Sequence, residues 1–109
     1  MSRTIKESDW KLLKEIAPMA LERFCCRILA GINHLASDST QSCHQRYLAV
    51  FALIRDRDRE IAEAFNDLRR STALLQLATI HSHGLLSNDE FARFSAETRE
   101  LIQTFKPRP

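Results

Sequence analysis

The sequence predicts an all-α protein, a bundle of about four to six amphipathic helices that a second chain could complete. Three observations predict it. The chain holds two glycines and three prolines in 109 residues, too few turn formers for the frequent reversals of an all-β domain. Apolar residues recur at steps of three and four through most of the chain, which is the period of a buried helical face. Serine-led capping boxes and a glycine stop punctuate those stretches where helices should begin and end.

Residues 1–7 read as a short flexible arm, residues 8–105 as a single helical domain and residues 106–109 as a flexible tail. Ser8 is the expected first N-cap, with Asp9 in the first turn, where the helix dipole favours an acid. Trp10, Leu13, Ile16 and Ala17 share the next face. Pro18 cannot donate a helical hydrogen bond, so it reads as a kink or as the first residue of a second helix. From Met19 to Ser37 the helical pattern is clear. Leu21, Cys25, Ile28, Ile32 and Leu35 form the expected buried stripe, widened by Phe24. Glu22, Arg23, Cys26, Arg27 and His34 fall mostly on the other side. Gly31 suggests a close approach of two helices.

Residues 37–42, SDSTQS, are the expected loop, because their side chains compete for backbone hydrogen bonds. Ser42 to Gln45 fits the S-x-x-Q capping box and starts a helix near Cys43. Tyr47, Phe51 and Ile54 form its inner stripe, which continues in phase through Asp58, Ile61, Phe65, Leu68, Thr72 and Leu75. Two structures fit residues 43–83. One is a single long helix that needs a partner chain to cover it. The other is two helices joined by a turn near Arg57 or near Asn66-Asp67, which ordinary helix lengths favour. Residues 73–80 are apolar almost all round and should be the most buried helical stretch. Gly84 ends that helix and the box from Ser87 to Glu90 starts the next, with Phe91 and Phe94 facing inward. Ser95 re-caps a final helix from Ala96 to Phe105, with Leu101, Ile102 and Phe105 inside.

Leu77, Ile80, Gly84, Leu85, Leu86, Ser87, Glu90 and Phe91 together resemble the short C-terminal helical hairpin called the SHOCT module. That module has a helix with spaced leucines, a glycine turn and an acidic Glu-Phe helix start. The resemblance implies an oligomerisation or partner-binding element. It covers residues 77–91, and the chain departs from it at Phe94-Ser95, where such modules continue as one lysine-rich helix.

Charge and composition narrow the function classes. A net charge of +2 does not favour a strong nucleic-acid binder, which carries a clear basic excess. No apolar run approaches the ~18 residues of a membrane span, and the polar start MSRTIKESDW is no signal peptide. The odd cysteine count, Cys25, Cys26 and Cys43, is no secreted disulfide framework and points to the cytoplasm.

Four constellations could carry chemistry. No cysteine or histidine pair has C-x₂-C or H-x₃-H spacing, so no metal ligand, cofactor site or catalytic residue is assigned. Cys43, at a helix N-terminus beside His44, is the one candidate reactive thiol. Arg55, Arg57 and Arg59 suit phosphate recognition, but Asp56, Asp58 and Glu60 alternate with them and cancel the charge. Asp58 also falls on the apolar stripe, so burial would require it to pair with an arginine, fixing register or partner choice. Arg69, Arg70 and Ser71, with Asn66 and Asp67, form a separate polar cluster for an anion or a partner, or simply a turn, and Thr72 is, like Asp58, a polar residue on the apolar stripe. The preferred expectation is a small non-enzymatic helical module for protein interaction or oligomerisation, a homodimer above other states. The alternative is a nucleic-acid-associated regulator using Arg55, Arg57 and Arg59 with Arg69 and Arg70. A metal- or thiol-dependent enzyme is third.

Overall fold

The computed structural model describes residues 4–105. Among them there are five helices and no strand: α1 (Glu7–Ala36), α2 (Cys43–Phe65), α3 (Ala73–Ser82), α4 (Asn88–Ala92) and α5 (Ala96–Thr104). The molecule is elongated, 53 × 27 × 22 Å. Its buried core lies at one end, which we call the head. There Leu12, Leu13, Ile16, Ala17, Ala20 and Phe24 of α1 pack with Leu77 and Ile80 of α3, with Leu85 and Phe94, and with Ile102 of α5.

The N-terminal segment departs from the expected arm. α1 begins at Glu7, with Lys6 at the cap position and no side-chain cap, so Ser8 lies inside the helix. Glu7 and Asp9 in the first turn supply the negative charge that the N-terminal dipole favours. Ile5 is buried in the core. The Arg70 guanidinium donates to the Ile5 carbonyl at 3.3 Å and pairs with Glu7. Residues 1–3 and the expected tail, 106–109, lie outside the described residues. α1 runs through Pro18 without ending, so no second helix starts there. The proline is exposed, so the carbonyl deprived of its helical donor faces the solvent side of the helix.

Residues 43–83 form two helices, and the break falls at residues 66–72 rather than at Arg57. Asp67 adopts a left-handed φ of 53°, a conformation aspartate tolerates better than most residues. Gln76, buried in α3, donates to the Asn66 carbonyl at 3.0 Å and accepts from the Thr72 hydroxyl at 2.6 Å. It therefore serves the C-terminal end of α2, whose last carbonyls have no helical donor. α3 is largely covered as expected, except Leu75, which is 61% exposed.

Both capping boxes form: Ser42 with Gln45, and Ser87 with Glu90. Gly84, at φ 69°, takes the left-handed position after α3. Arg23 and Arg27, one turn apart on α1, reach across to this turn instead of pointing to the solvent side. Arg23 grips the Glu90 carboxylate at 2.6 and 2.8 Å and the Leu85 carbonyl at 2.8 Å. Arg27 donates to the His83 carbonyl at 2.7 Å and to that of Gly84 at 3.3 Å. The Arg23 guanidinium and the Ser87 backbone N–H pull the Glu90 carboxyl down to about 2.

The N-terminus of α5 is tied to α1. Ser95 caps α5 as expected. Asp9, 2% exposed, accepts from the Ser95 N–H at 2.9 Å, the Ser95 hydroxyl at 2.7 Å and the Thr98 hydroxyl at 2.7 Å. Burial alone would raise its carboxyl, but the bonds from Thr98 and Ser95, with Lys6 nearby, outweigh burial and hold it below the ordinary value. Ile102 faces inward, whereas Phe105, expected inside, is 45% exposed.

Candidate interaction surface

From Cys25 to Glu63 no residue is buried. This is the other end of the molecule, an arm made of the C-terminal half of α1 and most of α2. The loop of residues 37–42 reverses the chain, so the two helices run antiparallel. They approach closely at Gly31, as expected: a Cβ there would stand 3.2 Å from Leu53 Cδ2. At the tip, Arg46 donates to the Ala36 carbonyl at 2.9 Å and locks the hairpin.

One face of the arm is an apolar groove. Its inner part, about 300 Å³, lies between Cys25, Ile28, Leu29 and Ile32 of α1 and Ile54, Asp58 and Ile61 of α2. Its outer part, also about 300 Å³, lies between Ala36, Cys43, Arg46, Tyr47 and Val50. Leu29 is 59% exposed, Tyr47 65%, Leu48 49%, Phe51 55% and Ile54 47%. The stripe Tyr47, Phe51, Ile54 is therefore not an inner stripe, and the α1 stripe beyond Phe24 is only half covered. The physical reason is the break at residues 66–72. It turns α3 back onto the N-terminal half of α1, and the short α4 and α5 are held there by Arg23, Arg27 and Asp9. Nothing else among the described residues lies over the arm.

The residues singled out in the sequence divide between the two ends. Asp58 stands exposed on the groove wall and forms no ion pair among the described residues. The expectation that burial would pair it with an arginine does not apply. Arg55 lies beside Asp56 at 3.4 Å and Arg57 pairs with Glu60. Arg59 is exposed and makes no such pair among the described residues. Arg69 pairs with Asp67 at 2.7 Å, and Arg70 is taken by Glu7 and Ile5, as above. Thr72 belongs to the α2–α3 turn with Gln76. Most of the arginines invoked for phosphate binding thus already face a carboxylate. Cys43 is exposed, and Arg46 donates to its Sγ at 3.3 Å. His44 makes no hydrogen bond to it.

Among the described residues, no group of three or more histidine, cysteine or acidic side chains could hold a metal ion. No helix among them is long and apolar enough to cross a membrane. The sequence reading missed the long-range polar contacts, those of Asp9, Arg23, Arg27 and Gln76, all of which build the head. It found the arm residues but assigned them to the core. No family model matches the chain, and neither a curated protein nor a solved structure matches it.

Proposed function

We propose that the chain is a non-enzymatic helical module for protein interaction or oligomerisation, and that the exposed apolar side chains of the α1–α2 arm, those in the groove and those beside it on α2, are its working surface. The observation that carries this reading is the cluster Leu29, Tyr47, Leu48, Phe51 and Ile54, each about half exposed or more on one helical hairpin. Contiguous apolar patches larger than a few hundred Å² are uncommon on chains that act alone and mark interaction sites. Aromatic side chains are the usual anchors of such sites. The hairpin of residues 77–91, which resembles a SHOCT module, is a weaker candidate for the same role. Its Leu77, Ile80 and Leu85 are buried in the head, so few of its apolar side chains are left to offer. A cytoplasmic setting, suggested by the odd number of cysteines, belongs to the same proposal.

A photo-crosslinking residue in place of Tyr47, in cells that make the protein, should give discrete protein adducts. The same residue in place of Leu75, exposed but on the head, should give none. Equal, diffuse labelling at the two positions would refute the reading.

A further inference from the structure

We propose that the arm is a conformational unit of its own. Residues 29–60 open together, α1 and α2 parting from the tip down to Ile28 and Ile61, while the head stays folded. Those two isoleucines are the last residues on their helices that pack against the core. The opening belongs to the single chain and holds whatever the arm binds.

Three observations place the boundary and favour the opening. The first is burial. Between residues 29 and 60 no residue is buried, whereas Phe24 and Ala64, just below the boundary on the two helices, are 3% and 0% exposed. The best-covered apolar side chains of that stretch, Ile32, Leu35, Val50 and Leu53 among them, remain partly exposed. Regions with few buried apolar contacts open at a lower free energy than a core does. Residues 43–60 of α2 are also close to the length at which a lone helix is marginal in water, so this stretch relies on a thin seam with α1.

The second observation is the distribution of polar ties. Asp9, Arg23, Arg27, Arg70 and Gln76 all bind one part of the head to another. Arg27, the last of them along α1, lies below the boundary. Above it, among the described residues, a single side-chain hydrogen bond joins α1 to α2, the one from Arg46 to the Ala36 carbonyl. The third observation concerns that same arginine. Its Nε is the one buried side-chain nitrogen or oxygen without a hydrogen-bond partner among the described residues. A donor left unpaired away from water is unfavourable, and opening the tip returns it to solvent. The closed tip is thus held by one bond and penalised by a missing one. The walls of the groove come from both helices, so the groove exists only while the arm is closed. Opening dissolves it and bares the sides on which α1 and α2 meet, which gives the arm two states for a ligand to choose between.

Amide hydrogen exchange of the full chain tests the unit, followed residue by residue in protein dilute enough that the rates no longer depend on concentration. The amides of Ile32, Val50 and Leu53 should exchange at least about ten-fold faster than those of Leu13, Ile16 and Leu77, because they escape through the smaller opening. With added urea the arm amides should converge on one common rate, and that rate should rise less steeply than the rate of the head, since less surface is exposed. Ile16→Val, a mild change in the core, should speed the head amides several-fold. It should leave the arm amides unchanged, because the head is intact when the arm opens. Arm amides that exchange no faster than those of the head, or that Ile16→Val speeds as much as the head, overturn the proposal and make the protein one cooperative unit. Arm rates that stay graded from the tip at every urea concentration also overturn it, because they report fraying in place of a single opening.

Discussion

The head and the arm are built from the same kind of sequence and end in opposite states. Both show apolar side chains at helical spacing. In the head, Leu13, Ile16 and Ala20 of α1 are covered by α3 and its neighbours. In the arm, Leu29, Tyr47 and Phe51 are covered on one side only. Helical periodicity thus reports that a face wants cover, not that the chain itself supplies it. The difference is made by polar contacts, because Asp9, Arg23, Arg27 and Gln76 bind the short helices to one end of α1.

The largest expected effect contrasts the two ends directly. Leu13→Ala should destabilise the fold by about 2–5 kcal/mol, the range for large-to-small core substitutions. Phe51→Ala, measured by urea unfolding of dilute protein, should change stability by no more than about 0.5 kcal/mol. Equal losses would mean that the arm is part of the same packed core. Next is Asp9→Asn, which takes the charged acceptor from the Ser95 and Thr98 donors. It should cost about 2–3 kcal/mol and fray α5, seen as faster amide exchange at residues 96–104.

The third prediction concerns acid. Folding lowers the Glu90 carboxyl from 4.5 to about 2, so the unfolded chain binds this proton more readily than the folded one. The stability Glu90 contributes is fully present above about 4.5 and is lost as the pH falls towards about 2. Asp9 acts in the same direction below its ordinary value. Glu90→Gln should flatten the decline of the unfolding midpoint over that window, and an unchanged slope would remove the Arg23 contact as its cause.

The smallest effects separate the two glycines. Gly84→Ala should cost about 1 kcal/mol, because an alanine is strained in the left-handed conformation. Gly31→Ala should stabilise by about 0.5 kcal/mol through helix propensity, since the Leu53 side-chain tip it meets belongs to the loosely covered arm. Thermal melts of the two variants should move in opposite directions.

What was legible in the sequence was local. The caps at Ser42, Ser87 and Ser95 and the stop at Gly84 involve residues within a few positions of each other, and all four take their expected places. The start of α1 was misread because Ser8 carries the right side chain, while burial of Ile5 and the grip of Arg70 come from far along the chain. Pro18 left two readings open, and the helix simply continues past it with its free carbonyl on the exposed side. The arm stripe could not be recognised as exposed, because exposure depends on where α3 turns, and that is set by Asp67 and Gln76 acting together. For the candidate surface, the right residues were visible but their role was not.

The bond from Asp9 to Ser95 and Thr98 has a consequence for how the chain comes into being. It joins residues 86 and 89 positions apart, so the head cannot close until residues 95 to 98 have been made. The hairpin of α1 and α2 needs only neighbouring segments and can form much earlier, as local contacts do. A growing chain can therefore form its arm hairpin, apolar stripe exposed, before it has a finished core.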